Sequence, residues 1–417
     1  MFKSIRGTRD ILPQEYKIWQ EVERKSAQIF ELFGYQRIEI PIIENKNLFL
    51  RSLGETSEVV QKQMFIIPKN EEEDIALRPE GTAGIIRAYI ENNLAKTQGF
   101  SKLYYYGSMF RAERPQKGRL REFHHIGAEA IGSLSPYLDI EVIEVCNSLL
   151  NNFGINNHKI KLNSLGCKED KAKLNTILKD KLSSRLNNLC QDCQSRYNRN
   201  ILRILYCKNP EFSAIRDNLN LSETQYLCVD CLNDYKIVCA GLDLLKIPYE
   251  KNPFLVRGLD YYNQTVFEIS HSALGAQDAI GAGGRYNTLI QDLGGEPTGA
   301  IGFALGVERI ILTLGQDIQL PNKQLVYLIP LGEESKQISL QLISELRKAG
   351  ICADTDFENK SLKASMRKAN DLKARYVLIF GEDELKDNSV MLKDMTNSLQ
   401  KKVSINSLIT ELTNTSA

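Results

Sequence analysis

The sequence carries no excess of charge and no long apolar run, and its opening residues do not read as a secretory leader. Its 417 residues have a formal net charge of +1. Bulk positive charge therefore does not bring it to nucleic acid, and any such role must rest on local patches. The first twenty residues hold no apolar signal-peptide core, and no stretch approaches the ~20 apolar residues that span a bilayer. The expectation is a cytoplasmic protein with no membrane partner. Nine cysteines without a secretion signal read as reduced thiols or metal ligands, not as a disulfide framework.

What is present is enough chain for two or three domains. The stretch richest in chemistry is residues 103–132, LYYYGSMFRAERPQKGRLREFHHIGAEAIG. Two strand-like runs flank a basic loop holding Arg111, Arg114, Lys117, Arg119 and Arg121, which predicts an antiparallel hairpin. Side-chain alternation puts Arg111 on the face of Met109 and Tyr105, and Phe123, His125 and Glu129 on one face of the return strand. If the register joins those faces, a guanidinium, an aromatic ring, an imidazole and a carboxylate share one floor. A packed face would be apolar, because a buried charge is costly unless paired. The simpler reading is a solvated hairpin with a charged tip. The other is a polyphosphate site, since Arg grips phosphate in a fixed fork and an aromatic ring stacks on a base.

FRAERPQKGRLREFHH resembles motif 2 of the class II aminoacyl-tRNA synthetases, specifically that of the histidyl-tRNA synthetase family. The resemblance recurs along nearly the whole chain. A helix predicted over 13–33 leads into a Pro-bearing strand over 35–43, expected at an edge or interface. GYQRIEIPIIE there resembles motif 1, which implies a homodimer, and GTRDILP at 7–13 resembles the family's opening segment. Residues 75–90 read as strand, turn and helix, with Thr82 as cap and Glu80 in the turn, where a carboxylate commonly serves only the helix dipole. RPEGT is also a family motif, and it implies that Glu80 and Thr82 hold the amino group of bound histidine.

RGLDYYN, within 254–269, is either a turn with aromatics packed on the core or a site for a small polar ligand. It is a specific motif of the family. It implies Arg257 at the substrate carboxylate and α-phosphate, and Tyr261 and Tyr262 in the histidine pocket, with Tyr262 at the imidazole. The glycines of GAGGRYN, 281–287, allow close backbone approach to a ligand or mark a bend; Tyr286 would line the same pocket. GFALGVERI, 302–310, resembles motif 3. It reads as a helix that Gly302 and Gly306 bring close to a neighbour, with Arg309 facing the γ-phosphate. His124–Gly127 (HHIG) and Lys363–Arg367 (KASMR) resemble class I signatures, but neither is complete.

The resemblance implies an α+β catalytic core with an antiparallel sheet, in two parts at 1–167 and 251–320. A helical insertion at 168–250 interrupts it, and an anticodon-binding α/β domain at 321–417 follows. The insertion is rich in Lys, Asn and Leu; it implies contact with the tRNA acceptor arm, or simply a solvated face. Within it, Cys190-x-x-Cys193 and Cys228-x-x-Cys231 form a zinc signature with unusually wide separation, or buried thiols. No metal is assigned among the site residues. The last hundred residues alternate strand and helix, which predicts a separate domain. They lack both GxGxxG and GxxxxGK[ST]. The helix over 362–372, with Lys363, Arg367 and Lys368, is its expected RNA face.

The implied reaction joins ATP and L-histidine into histidyl-adenylate, then transfers the histidyl group to tRNA(His). Arg111 and Arg257 are the implied catalytic residues. Arg111 would hold the α-phosphate, Arg119 and Arg309 the outer phosphates, and Glu113 and Phe123 the adenine, with Mg²⁺ accompanying ATP. Glu129 and Tyr262 would bracket the imidazole. His125 stands where the family usually has Gln; a neutral imidazole replaces one amide contact but not both. The rival is a non-catalytic, histidine-binding paralogue that regulates ATP phosphoribosyltransferase. That paralogue typically lacks the C-terminal domain and erodes the ATP-binding arginines, both of which this chain keeps.

Overall fold

The computed structural model describes all residues except 1, 55–56, 69–73, 117, 208, 210–211, 213–214, 217, 276, 316–323, 359 and 415–417. It divides into two compact units, residues 1–318 and 319–417; the predicted boundary near Pro321 lies outside the described residues.

The first unit opens with the helix Pro13–Leu32, followed by the strands β1 (Gln36–Arg37), β2 (Ile43–Asn45), β3 (Ile66–Ile67) and β4 (Ile75–Leu77). The strand predicted over 35–43 is thus reduced to β1 and the start of β2. Pro41 lies between them and cannot donate to a ladder. The hairpin is β5 (Ser101–Phe110) and β6 (Glu122–Ile131), and further strands are β7 (Lys159–Ser164), β8 (Tyr249–Lys251), β9 (Asn263–Ser270), β10 (Ala279–Arg285) and β11 (Ala300–Gly306).

Eight of these form one sheet in the order β1-β5-β6-β11-β10-β9-β7-β8, and β2-β4-β3 form a small ribbon. The six inner strands of the large sheet are antiparallel; β1 and β8 pair in parallel at its two edges. Met109 lies opposite Phe123 and Leu103 opposite Glu129. This register joins the two faces that alternation proposed, so the mixed polar floor forms. The opening helix lays Trp19, Val22 and Phe30 on the sheet, with the Phe30 ring stacked on Tyr104 at 4.4 Å.

Two glycine readings need correction. GAGGR is a strand, not a bend, and its glycines also let β11 approach closely: a Cβ on Gly281 or Gly283 would stand 2.4 Å from the carbonyl oxygen of Ala304 or Gly302. The helix of GFALGVERI starts only at Val307, so Gly302 belongs to β11 and serves strand packing instead of helix packing.

The helices Lys168–Ser183, Gln191–Arg199 and Val229–Leu244 occupy the stretch expected as an insertion. Leu174, Leu178 and Leu182 recur every four residues, as a helix stripe requires, and all are fully buried. They share one hydrophobic cluster with Leu162, Val266 and Phe267 of the sheet. The stretch is therefore continuous with the core it interrupts.

The second unit carries the strands β12 (Val326–Pro330), β13 (Ala353–Thr355), β14 (Tyr376–Phe380), β15 (Ser389–Asp394) and β16 (Gln400–Ser404), in the order β13-β12-β14-β15-β16. β13, β12 and β14 are parallel, and β15 and β16 antiparallel. Helices Glu333–Lys348 and Leu362–Asp371 make the crossovers. Leu328, Leu342, Leu346, Leu378 and Phe380 build a core of its own.

Candidate active site

A cleft of about 740 Å³ is lined by side chains from β5, β6, β9, β10 and β11 and from the loops beside them. Glu80, Thr82, Arg111, Glu113, Arg119, Phe123, His125, Arg257, Tyr261, Tyr262 and Arg309 all line it. Glu129 and Tyr286 are almost fully buried and join it through their hydrogen bonds.

One end is a guanidinium cluster. Arg111 follows β5, and its N–H donates to the Arg121 carbonyl at 2.9 Å, closing the neck of the hairpin. Its guanidinium lies 5.3 Å from the Phe123 ring centre, and its Nε donates to the Pro79 carbonyl at 2.9 Å. Glu113 stands between Arg111 and Arg119, at 3.9 and 3.5 Å. Arg309 reaches back from its helix and donates to the carbonyls of Gly118 and Gln277, at 3.2 and 3.0 Å. Burial, and next the charge of Arg119, lower the Arg309 pKa. A polyanion between these cations would relieve that repulsion. Arg121 instead turns its Nε to the Glu113 carbonyl, at 3.3 Å, and Lys117 lies outside the described residues.

The other end is a carboxylate pocket. Glu80 accepts from the backbone N–H of Thr82 and Ala83, at 2.7 and 2.9 Å. Glu80, not Thr82, therefore caps the helix Thr82–Glu91. The Thr82 hydroxyl is left free to donate to Glu129 Oε1 at 2.7 Å, and Tyr286 donates to Oε2. Across the sheet, Glu129 faces Gly302, which leaves room for the carboxylate. Tyr286 is held by its neighbour Arg285, whose guanidinium pairs with buried Asp139 at 2.6 Å. The rings of Tyr261 and Tyr262 lie 4.6 Å apart, and Tyr261 meets Tyr286 edge-on at 5.7 Å. Lys171 Nζ pins this loop by donating to the Tyr262 carbonyl at 2.6 Å.

Burial pushes Glu129 up to about 8, against the hydrogen bonds from Tyr286 and Thr82. A carboxyl whose folded pKa is raised keeps its proton where the unfolded chain has lost it. Its contribution to stability is full below the unfolded value, near 4.5, and is lost as pH rises through about 8. Thermal unfolding of the ligand-free protein should therefore show stability falling across this window. Glu129→Gln should flatten that slope; an unchanged slope would remove Glu129 from the account.

Between the two ends, three residues that line the cleft carry buried polar atoms without partners. They are Tyr105 Oη, His125 Nδ1 and Arg257 Nε. Buried polar groups are nearly always paired, so these three mark a place shaped for a polar molecule. Burial, followed by the charge of Arg111, lowers His125 to about 3; the imidazole is neutral at physiological pH.

Several residues of the site were not anticipated. Glu268 on β9 accepts from Arg257 Nη1 at 2.7 Å, and Lys161 on β7 lies 3.7 Å from its other oxygen. The available signal was a carboxylate inside the apolar run TVFEIS, and a lysine inside KIKLNS. Gln277, whose Oε1 accepts from Arg119 at 3.1 Å, had no such signal. The two CxxC pairs do not converge on one site. Cys190 and Cys193 cluster with Cys207, whereas Cys228 and Cys231 cluster with Cys167 and Asp170.

Comparison with known proteins matches residues 7–310 to the family model "Histidyl-tRNA synthetase" and residues 325–415 to "Anticodon binding domain". A histidine–tRNA ligase of Dehalococcoides mccartyi is 43% identical over 416 residues, 99% of each chain. One from Syntrophotalea carbinolica is 43% identical over 402 residues, 96% of each chain. The crystal structure of apo histidyl-tRNA synthetase from S. aureus superposes with a TM-score of 0.82 at 32% identity, covering 99% of each chain.

Proposed function

The chain belongs to the histidyl-tRNA synthetase family, and we propose on that premise how its cleft divides the chemistry. Its activity is the ATP-dependent attachment of histidine to tRNA(His) through histidyl-adenylate. The carboxylate of histidine attacks the α-phosphorus of ATP and pyrophosphate leaves. The histidyl group then passes to the 3′-hydroxyl of the terminal adenosine, as its bond to the phosphate breaks and AMP leaves. Neither step asks the protein for a covalent intermediate; its task is alignment and neutralisation of charge.

Arg111 and Arg257 approach the α-phosphate and the substrate carboxylate. Arg119 and Arg309 take the outer phosphates, and Phe123 stacks on adenine beside Glu113. Mg²⁺ arrives with ATP as part of that substrate. Glu113 and Asp278 line the cleft, and such hard carboxylate oxygens suit it. Glu80 and Thr82 take the amino group. Glu129, Tyr261, Tyr262 and Tyr286 surround the imidazole, and His125, as a neutral ring, offers one hydrogen bond near the amino and carboxylate groups. A histidine ring can add a hydrogen bond to Glu129 beside those from Thr82 and Tyr286, a contact that an apolar side chain cannot make, which gives specificity.

The observation that carries this reading is that one cleft is lined by the arginine cluster, by the three residues with unpartnered polar atoms and by Thr82, which donates to the buried Glu129 behind it. ATP–pyrophosphate exchange tested with each amino acid in turn should proceed with histidine alone. Exchange with none would instead support the regulatory, non-catalytic reading, which the retained arginines and the anticodon-domain match disfavour.

A homodimer is supported by the ribbon β2-β4-β3, whose Ile43, Ile66 and Ile67 are exposed in a segment adjoining the motif 1 resemblance. Binding of tRNA is supported by the anticodon-domain match and by exposed Lys363 and Arg367. No helix among the described residues is long and apolar enough to cross a membrane.

A further inference from the structure

We propose that Cys167, Asp170, Cys228 and Cys231 hold one zinc ion, a site separate from the catalytic cleft. One ligand atom from each of the four side chains lies within 4.8 Å of all the others. A tetrahedral zinc with sulfur ligands at ~2.3 Å and a carboxylate oxygen at ~2.0–2.2 Å spaces its ligand atoms by roughly 3.5–3.8 Å. Small side-chain shifts therefore complete the shell. Three thiolates and one carboxylate match zinc's preference, and the close spacing suits a single ion, not an iron–sulfur cluster.

The backbone is arranged to support such a shell. Cys167 is the N-cap of the helix Lys168–Ser183, and Cys228 is the N-cap of Val229–Leu244. Both sulfurs thus sit at helix N-termini. The Cys231 N–H donates to Cys228 Sγ at 3.5 Å. Asp170, 4% exposed, accepts the N–H of Cys228 on Oδ1 at 2.8 Å and that of Cys167 on Oδ2 at 3.2 Å. These bonds aim the carboxylate, and each oxygen keeps a lone pair for a metal.

The site also has a structural consequence. Lys171, next to Asp170, holds the Tyr262 carbonyl. The residues just before Cys167 bond to β9, Leu165 N–H to the Gln264 carbonyl at 2.7 Å and Gln264 N–H to the Gly166 carbonyl at 2.9 Å. An ion here would fasten two helix starts together behind the tyrosines of the histidine pocket. Cys190, Cys193 and Cys207 offer only three ligands among the described residues and form no part of the proposal.

Elemental analysis of the full-length protein, purified without chelator, should find one more zinc per chain in the parent than in Cys228→Ser/Cys231→Ser. A lost fold could mimic that difference. Chelator-stripped protein is therefore also titrated with Co²⁺, with circular dichroism to verify helix content. The parent should develop the near-ultraviolet thiolate-to-cobalt band, and the folded double variant should lose the share owed to these thiols. Equal zinc content and equal cobalt spectra in parent and variant would overturn the proposal.

Discussion

Arg257→Ala should lower histidine-dependent ATP–pyrophosphate exchange by about a thousandfold, the upper range for removing one positioned charge donor, while the protein stays folded. Arg257 lines the cleft, and its guanidinium is fixed by Glu268 at 2.7 Å. Burial works against its charge, but Tyr206 and Glu268 more than offset that, so a full positive charge waits where the proposed α-phosphate and carboxylate meet. Truncating one member of a buried pair usually destabilises by about 3–5 kcal/mol. Here Lys161, 3.7 Å from Glu268, remains to compensate, and the side chain keeps some solvent access. The loss should therefore appear in exchange and not in the melting temperature. Arg257→Lys should recover little, because an ammonium cannot reproduce a guanidinium fork. Exchange within threefold of the parent would remove Arg257 from its assigned role.

Gly302→Ala should abolish productive histidine binding, with kcat/KM for histidine down by about a hundredfold or more, since a site built on hydrogen bonds is punished when they are lost. A methyl group there would stand 1.7 Å from Glu129 Oε2 and 2.6 Å from the Ala128 carbonyl. Glu129 cannot stay bonded to Thr82 and Tyr286 beside it. Overpacking of this kind costs about 1–3 kcal/mol, so a lower melting temperature is also expected. The guanidinium cluster lies at the other end of the cleft. Calorimetry should thus find ATP affinity nearly retained while histidine affinity is lost. Wild-type histidine affinity in this variant would show that Glu129 does not define the pocket.

Sequence alone made the hairpin legible, because aromatic runs, a basic loop and strict alternation agree on it. It also singled out RPEGT and RGLDYYN, through their resemblance to family motifs. The short strands β1 and β2 were less legible: an apolar run reads as one strand until Pro41 interrupts its ladder. β15 and β16 were missed because β16 is mostly Gln and Lys and offers β15 no apolar partner run, and their turn depends on Asp394 accepting the N–H groups of Thr396 and Asn397 at 2.8 and 3.0 Å. Glu268, Lys161 and Gln277 were missed for another reason. Each matters through a partner distant in the chain.

What the residues determined unaided were local matters: period, punctuation, and the chemical types that a nucleotide and a small amino acid need. Only the tertiary structure decided pairing. It settled that Glu80, not Thr82, caps its helix, that Gly302 clears space for Glu129 across two strands, and that two cysteine pairs of one pattern join different neighbours. Contacts like these depend on strand register and helix placement, which follow from burial summed over the whole core and leave no mark at any single position.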